Sequence, residues 1–286
     1  MHGSMLAGVR LEEKSSAACA VTSWQDQVYV AWTGSDLHLN LASSPDGRAL
    51  AGKRRLAYRT YQQRWSGSGK DSSMQLVILS PSLAGSGEQL FLAWTKGNGA
   101  PQVLVAERPD AQPVTIRQRS TEPPSVTMSE RGELLLAWTG TSGQVNLATV
   151  AHDWSTRPIG LTKVRSRVGP ALCSHRGDLI LAWIGTDRRI NLLTVRDNRP
   201  TLPIRLEQAK SDRPPAVCSH RGDLVLAWTG SDRRINLITI ADDRATQPIR
   251  FDQAKTDHAP ALCSHRGDLL LAWTGGDRRL NVARLQ

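Results

Sequence analysis

The sequence predicts an all-β fold: a six-bladed β-propeller whose blades are four-stranded antiparallel sheets. Two observations predict it. A unit of about 45 residues recurs along the 286-residue chain, and each copy carries an Ala-Trp pair at the end of an apolar segment. Repeats of this length that hold four short strands are typical of propeller blades. The six marker tryptophans are Trp32, Trp94, Trp138, Trp183, Trp228 and Trp273.

One copy, residues 214–254, shows how the unit divides. Leu224–Thr229 lacks polar alternation, which indicates a strand buried on both faces, as stacked blades require. A tight turn is expected at 220–223, and Pro248 is compatible with an outer edge strand, which need not donate every hydrogen bond. The expected strands, from inner to outer, are Pro215–Ser219, Leu224–Thr229, Arg234–Ile240 and Gln247–Gln253.

The two ends of the chain predict how the ring closes. The last copy stops after its third strand, at 281–286, and residues 8–14 resemble the outer-strand segment 248–255. We therefore expect the N-terminal strand to complete blade six, so that residues 1–286 form a single propeller domain. Residues 1–7 are interpreted as a tag or as disordered. Residues 60–76 are expected to form an inserted loop, because the first tryptophan spacing is longer than the others.

Composition and net charge indicate which classes of binding partner are favoured. The formal net charge is +10 and the pI is about 10.0, which favours acidic glycans, phosphate groups, nucleic acid or a negative cell surface. Two phenylalanines and three tyrosines leave few groups for stacking bases, so nucleic acid is the weaker choice. No apolar run reaches the roughly 18 residues of a membrane span, and no signal peptide is visible. We expect a cytoplasmic protein, or one released without a visible signal peptide, and the sequence does not indicate an oligomeric state.

The cysteines and histidines do not predict a metal or a cofactor. Cys173, Cys218 and Cys263 recur at one repeat position, and equivalent positions in neighbouring blades rarely come within disulfide distance. With Cys19, they are expected to be free buried thiols in a reducing compartment. No close-set Cys-x-x-Cys pair is present for zinc. The periodic histidines are interpreted as surface turn residues; they are His175, His220 and His265.

Strand direction separates two faces of the ring. The turns after the second strands and the connectors between blades lie on one face, here called the upper face. The Arg-Gly-Asp turns lie on the opposite, lower face. The upper-face turns carry repeated aspartates and arginines, and arginine can bind a carboxylate or phosphate bidentately. The alternative is a solvated rim in which each aspartate pairs with its own arginine. The candidate ligand-binding residues are Trp65, Arg64, Asp187, Arg188, Asp232, Arg233, Asp277, Arg278, Lys210 and Arg213.

The aromatic and amide residues of the repeat are assigned different roles. Trp65 lies in the insertion, on the upper face, where a long irregular loop favours function, so it is a candidate stacking platform. The marker tryptophans are interpreted as wedges between blades. The recurrent asparagines are expected to bond turn backbone. These are Asn40, Asn146, Asn191, Asn236 and Asn281.

The repeated segment Ala-Trp-Thr-Gly-x-Asp-x-x-Leu-Asn resembles short-bladed bacterial six-bladed propellers, both lectin-like and sialidase-like. Residues 44–47, Ser-Pro-Asp-Gly, partly resemble the Asp-box of sialidases, Ser-x-Asp-x-Gly-x-x-Trp. The glycine comes one place early and the aromatic is missing, and the sialidase arginines and nucleophilic tyrosine cannot be placed. The resemblance implies the architecture but does not specify an activity.

The leading hypothesis is a ligand-binding propeller with lectin-like recognition of glycans or other small anionic ligands on its basic upper face. The first alternative is an enzyme, a hydrolase, lyase or biosynthetic enzyme, with one site over the central channel. Its catalytic residues are not identifiable from the sequence. The second alternative is a docking platform for protein or nucleic acid.

Overall fold

A computed structural model describes residues 8–66, 73–108, 111–242 and 244–285, with the side chains of residues 65 and 66 excepted. Residues 1–7, interpreted above as a tag or as disordered, lie outside the described residues. The strands form six antiparallel blades around a central channel, which confirms the predicted six-bladed propeller. The described segments contain no helix long and apolar enough to cross a membrane.

Each blade has four main strands, from an inner strand at the channel to an outer strand at the rim. The inner strands are β2 (Ala20–Trp24), β8 (Ser82–Ser86), β12 (Ser125–Met128), β16 (Ala171–His175), β21 (Ala216–His220) and β26 (Ala261–His265). The second strands are β3 (Gln27–Thr33), β9 (Gln89–Thr95), β13 (Leu134–Thr139), β17 (Asp178–Ile184), β22 (Asp223–Thr229) and β27 (Asp268–Thr274).

The third and outer strands complete the sheets. The third strands are β4 (His38–Ser44), β10 (Pro101–Val105), β14 (Val145–Val150), β18 (Arg189–Arg196), β23 (Arg234–Ala241) and β28 (Arg279–Leu285). The outer strands are β5 (Ala51–Arg59), β11 (Val114–Thr115), β15 (Thr156–Ile159), β20 (Ile204–Lys210), β25 (Ile249–Lys255) and β1 (Val9–Lys14). The remaining short strands are β6 (Tyr61–Ser66), β7 (Ser73–Ile78), β19 (Arg199–Pro200) and β24 (Arg244–Ala245).

The ring closes as the sequence predicts. Strand β1 pairs antiparallel with β28, with Val9 opposite Val282 and Arg10 opposite Asn281. The N-terminal strand is therefore the outer strand of blade six, and the closure is non-covalent.

The strand limits within blade five differ from the expected ones by one or two residues. The inner hairpin turns on only two residues, because Arg221 and Gly222 both adopt positive φ angles of 50° and 85°. Such a turn has the backbone twist that joins paired strands directly, so His220 pairs with Asp223. Pro248 precedes the outer strand instead of lying within it.

The core is divided among the blade interfaces. Six clusters of buried apolar side chains each draw on two neighbouring blades and each contain one marker tryptophan. Trp32, for example, packs with Leu270 and Val282 of blade six. The six tryptophans are 1–5% exposed, so they are wedges, as interpreted from the sequence. Truncating such a side chain to alanine typically costs about 3–5 kcal/mol.

Buried hydroxyls also tie neighbouring blades together. In five blades the residue after the marker tryptophan is a buried threonine that donates to a carbonyl of the next connector, as Thr229 does to His258 at 2.6 Å. Blade four has Ile184 at this position. The equivalent bonds in the other four blades run from the hydroxyls of Thr33, Thr95, Thr139 and Thr274 to the carbonyls of Leu79, Glu122, Val168 and Ala17, respectively.

The cysteines are buried and free, as expected. Burial raises the pKa of Cys19 to about 12 and that of Cys218 to about 11. The periodic histidines are not the surface turn residues that the sequence suggested. Each ends an inner strand and bonds a serine of the next blade, as His175 Nδ1 does with Ser219 Oγ at 2.9 Å. Within the described residues, no group of three histidine, cysteine, aspartate or glutamate side chains could hold a metal ion.

Candidate functional site

The upper-face turns share one backbone conformation. The fifth residue after each marker tryptophan has a positive φ angle, and its carbonyl accepts a hydrogen bond from a buried serine or threonine of the connector. Glycine fills this position in two blades, but three blades place an arginine there. The six residues and their φ angles are Leu37 (66°), Gly99 (86°), Gly143 (79°), Arg188 (68°), Arg233 (65°) and Arg278 (66°).

An aspartate precedes that residue in four blades and is held in the same way each time. One carboxylate oxygen accepts the backbone N–H two residues later, and the other faces an arginine from the outer strand of the same blade. Asp36 pairs with Arg55 at 2.7 Å, and that hydrogen bond is the main cause of the lowered pKa of Asp36. The other pairs are Asp187 with Arg205, Asp232 with Arg250 and Asp277 with Arg10.

For much of the candidate site, these pairs match the alternative considered above, a solvated rim in which aspartates and arginines pair with each other. Arg188 forms an ion pair with Asp212, and Arg233 forms one with Asp257. Asp187 and Asp232 also face the neighbouring Arg189 and Arg234 at 3.3 and 3.4 Å. Their charges are largely neutralised within their own blades.

Arg278 differs from its two counterparts. Ser16 occupies the connector position that Asp212 and Asp257 occupy elsewhere, and within the described part of the chain no carboxylate pairs with Arg278. Arg278 and Arg213 both help to lower the pKa of His258, although burial of that imidazole is the larger cause. Lys210 is exposed at the end of β20. Arg213, Arg278 and Lys210 therefore remain the more available cations of the predicted set.

The inserted segment is a β-hairpin and not the irregular loop expected from its composition. Strands β6 and β7 pair over Tyr61–Ser66 and Ser73–Ile78. Thr60 and Leu79 are equivalent to Ser120 and Glu122 of the next connector. Thr60 and Ser120 each donate to the carbonyl of the threonine that follows a marker tryptophan. Leu79 and Glu122 each accept, at their carbonyls, from the hydroxyl of such a threonine. The hairpin thus replaces a single connector residue, which accounts for the longer tryptophan spacing.

Arg64 is an anchor of this hairpin. Its guanidinium donates to the carbonyl of Thr121 and pairs with Glu122 at 2.7 Å. The pKa of Glu122 is raised by burial, which outweighs the opposing effect of Arg64. Gln62 also bonds the next connector, at the carbonyl of Ser120. Trp65 pairs in register with Met74, but its side chain lies outside the described residues.

A groove lies on the upper face between blades one and two, beside the hairpin. It has a volume of about 590 Å³ and is lined by aromatic, amide and cationic side chains. Its floor is Tyr58, which stacks on Trp94 with ring centroids 5.2 Å apart and planes at 26°. Tyr61 and Gln63 of β6 form the wall. The polar groups around the floor are Arg59, Lys96, Asn98 and Gln102.

An equivalent groove lies between blades six and one, with a volume of about 470 Å³. Its marker tryptophan, turn aspartate and amide are Trp32, Asp36 and Asn40. The first groove has Trp94, Asn98 and Gln102 at these positions. Glu13 stands where the first groove has Tyr58, and Lys53 lies over the Trp32 ring, 5.4 Å from its centroid. Of these two grooves, the one between blades one and two has the tyrosine floor.

Sequence reasoning missed Arg59, Tyr58 and Tyr61. Two of the three tyrosines flank the point where the repeat spacing breaks, and that signal could have found them. A lysine or arginine lies directly before the buried connector hydroxyl in all six blades. These residues are Lys14, Arg59, Arg119, Arg165, Lys210 and Lys255.

Blade three carries cations without acidic partners. Its upper-face turn, Gly140–Gly143, contains no charged residue, and arginines lie on both sides of it. Arg165 donates to the carbonyl of Ser142 at 3.1 Å. Among the described residues, none of Arg119, Lys163, Arg165 and Arg167 forms an ion pair with a carboxylate.

The recurrent asparagines bond turn backbone, as expected from the sequence. Each side-chain amide donates to the carbonyl two residues earlier, as in Asn236 to Arg234 at 3.1 Å. The channel mouth has a different character, with small apolar side chains and prolines such as Pro124 and Pro170. Its described lining has Cys19 as its only ionisable side chain.

Comparison with known proteins bears on the fold alone. No family model and no curated protein matches the sequence. AofleA from Arthrobotrys oligospora superposes with a TM-score of 0.69 at 9% identity, over 98% of this chain and 86% of that one. The six-bladed lectin of Aleuria aurantia gives 0.62 at 10%, over 96% and 93%. Trypanosoma rangeli sialidase gives 0.61 at 11%, over 96% of this chain and 55% of the sialidase. The chain is a six-bladed β-propeller, the architecture of the Aleuria aurantia lectin.

Proposed function

We propose that the protein is a carbohydrate-binding propeller, and that the groove between blades one and two is its principal site. The observation that carries the proposal is the tyrosine floor of that groove. Tyr58 lies stacked on Trp94, with Tyr61 beside it. Ligand sites commonly combine an apolar, aromatic surface with a few polar groups that fix orientation.

The polar groups suit a sugar. Gln102 lines the groove, but its side-chain amide is buried and bonds Thr115. Asn98 provides an amide group, and Arg59 and Lys96 add only donors. Hydroxyl groups can use all of them, and a carboxylate or sulfate on the sugar would use the two cations. The ligand class is therefore a neutral or acidic glycan.

Two further observations support a lectin-like mode. The groove between blades six and one repeats the marker tryptophan, turn and amide positions, so more than one groove can hold a related ligand. The propellers of similar fold include lectins solved with fucosides bound. The cationic residues predicted from the sequence enter as secondary contacts, chiefly Arg278, Arg213 and Lys210.

The experiment is a glycan array followed by calorimetry on the glycans that bind. Tyr61→Ala and Gln63→Ala should weaken binding about tenfold or more, because they remove the wall of the groove. Lys53→Ala, in the equivalent groove, is the matched control and should leave most of the affinity. Absence of binding to any glycan, or full affinity in Tyr61→Ala, would refute the proposal.

Calorimetry also separates the lectin from the enzyme alternative. A lectin-like ring should take up more than one equivalent of a small glycan, with the tighter equivalent lost in Tyr61→Ala. An enzyme with its site over the channel would bind one equivalent irrespective of Tyr61. The channel mouth is small, and Cys19 is the only ionisable side chain of its described lining, which gives no support to that alternative.

A further inference from the structure

We propose a second ligand site on the lower face, in the groove between blades six and one where the N-terminal strand closes the ring. The geometry points to a small organic anion, a carboxylate that carries an apolar group. The groove has a volume of about 620 Å³. It lies on the face opposite to the proposed glycan site and does not depend on it. We refer to it as the seam groove.

The seam groove has an apolar floor and a basic rim. Val9, Leu270 and Val282 form the floor, and they come from the three strands of blade six that close the ring. Three arginines reach the rim from three different elements. They are Arg48, Arg266 and Arg284. An amphiphilic anion can place its apolar part on such a floor and its charge at the rim.

The rim arginines are incompletely paired. Arg284 binds Asp268 at 2.6 Å, but Arg48 lies 3.7 Å from Asp46 and Arg266 lies 3.6 Å from Asp26. The two longer distances exceed those of a hydrogen bond. Arg48 can therefore turn toward a bound carboxylate without breaking a short ion pair. Arg266 would exchange its 3.1 Å hydrogen bond to the carbonyl of Asp26 for one to the ligand. Two carboxylates, Asp46 and Asp268, line the groove against three arginines.

The turn that carries Arg48 is fixed in place. His265 bonds the carbonyl of Pro45 through Nε2 at 3.0 Å and Ser23 Oγ through Nδ1 at 2.9 Å. Within the turn, Ser44 Oγ accepts the N–H of Gly47 at 2.9 Å. Gly47 has a φ of 78°, and a Cβ there would meet Val282 at 3.1 Å. The turn thus packs directly on the floor, so the rim is preorganised.

The corresponding groove between blades four and five differs in charge. It has Arg176 and Arg196 with the carboxylates Asp178 and Asp242, so its arginines and carboxylates are equal in number. Arg196 is held by Asp178 at 2.6 Å, as Arg284 is by Asp268. The excess cation at the seam comes from Arg48. In blade five, Arg244 follows the same turn but does not line the groove.

The test is a titration with hexanoate, followed by NMR of the methyl groups of Leu270 and Val282. We expect saturable shifts with a dissociation constant in roughly the millimolar range, as is usual for a ligand of this size. Hexanamide, which lacks the charge, and acetate, which lacks the chain, should each bind at least about tenfold more weakly.

Two charge-reversal variants at exposed sites keep the fold and separate local from overall charge. Arg48→Glu should weaken hexanoate binding about tenfold or more, whereas Arg244→Glu, with the same change in net charge, should not. Glycan binding should be unchanged in both. The proposal is overturned by an absence of shifts at these methyls, by equal binding of hexanamide, or by an equal effect of Arg244→Glu.

Discussion

Replacing Arg278 with glycine should stabilise the protein, although it removes a long side chain. Arg278 has a φ of 66°, and glycine occupies the equivalent position in two other blades. The left-handed conformation costs a residue with a Cβ about 1–2 kcal/mol. Glycine loses about 0.5–1 kcal/mol more backbone entropy than alanine on folding. The difference predicts that Arg278→Gly is about 0.5–1 kcal/mol more stable than Arg278→Ala, which keeps the strain.

Urea denaturation followed by tryptophan fluorescence measures this difference, since all six marker tryptophans are buried. Arg233→Gly is an internal comparison, because Arg233 forms an exposed ion pair with Asp257 that is worth about 0–1 kcal/mol. The stability gain of Arg233→Gly over Arg233→Ala should match the gain of Arg278→Gly over Arg278→Ala. Relative to the wild type, Arg233→Gly should be less favourable than Arg278→Gly, because it also loses the ion pair. If Arg278→Gly is no more stable than Arg278→Ala, backbone strain at these turns is not the determining factor.

Three other perturbations follow from the contacts between blades. Thr229→Val leaves a buried carbonyl without its donor and should lower the free energy of unfolding by about 1–3 kcal/mol, measured in urea, whereas Ile184→Val in blade four should cost no more than about 1.5 kcal/mol. Arg64→Ala removes the partner of half-buried Glu122 and should speed limited proteolysis of the hairpin, seen by mass spectrometry, with the ring intact. Cys19 should resist alkylation at pH 8, because its pKa of about 12 leaves almost no thiolate. Rapid labelling of folded protein would contradict this.

The repeat made the architecture predictable. Residues that recur with the period must occupy equivalent places, so the tryptophan wedges, the amide-to-turn bonds and the free thiols all follow from one copy. The closure of the ring by the N-terminal strand was also predictable, because the outer strand missing from the last copy is present near the start of the sequence. Local backbone conformation determined the strand ends that the repeat did not. In blade five, Arg221 and Gly222 alone make the inner hairpin turn, whereas the polar residues of the sequence had indicated a turn over 220–223.

The candidate site was harder to predict, because its chemistry depends on partners that are distant in sequence. Asp187 is held by Arg205 across two strands, and that register appears only when the sheet forms. His175 bonds Ser219 of the next blade, although both residues recur and looked independent. The insertion was taken for a loop because glycine and serine are frequent in its sequence, while the tyrosine floor depends on which blade the hairpin adjoins.

The charge distribution separates two halves of the upper face. In blades four and five the turn aspartates and arginines recur as internal pairs, so repetition there mainly produces neutral turns. In blade six Asp277 pairs with Arg10, but among the described residues Arg278 has no carboxylate partner. Blade three has no such aspartate, and among the described residues its flanking cations, Arg119 and Arg165, form no ion pair with a carboxylate. Blade three adjoins blade two, which contributes Trp94 and Lys96 to the groove with the tyrosine floor.

Exposed, unpaired cations act over about 8–10 Å at physiological salt and chiefly raise association rates. Under the proposed function, an acidic glycan would therefore reach the groove faster than a neutral one at low ionic strength. Contacts with the floor would set how long either remains bound. The net charge of +10 thus affects how fast different glycans associate. The tyrosine floor, which lies beside the break in the repeat, affects how long they stay bound.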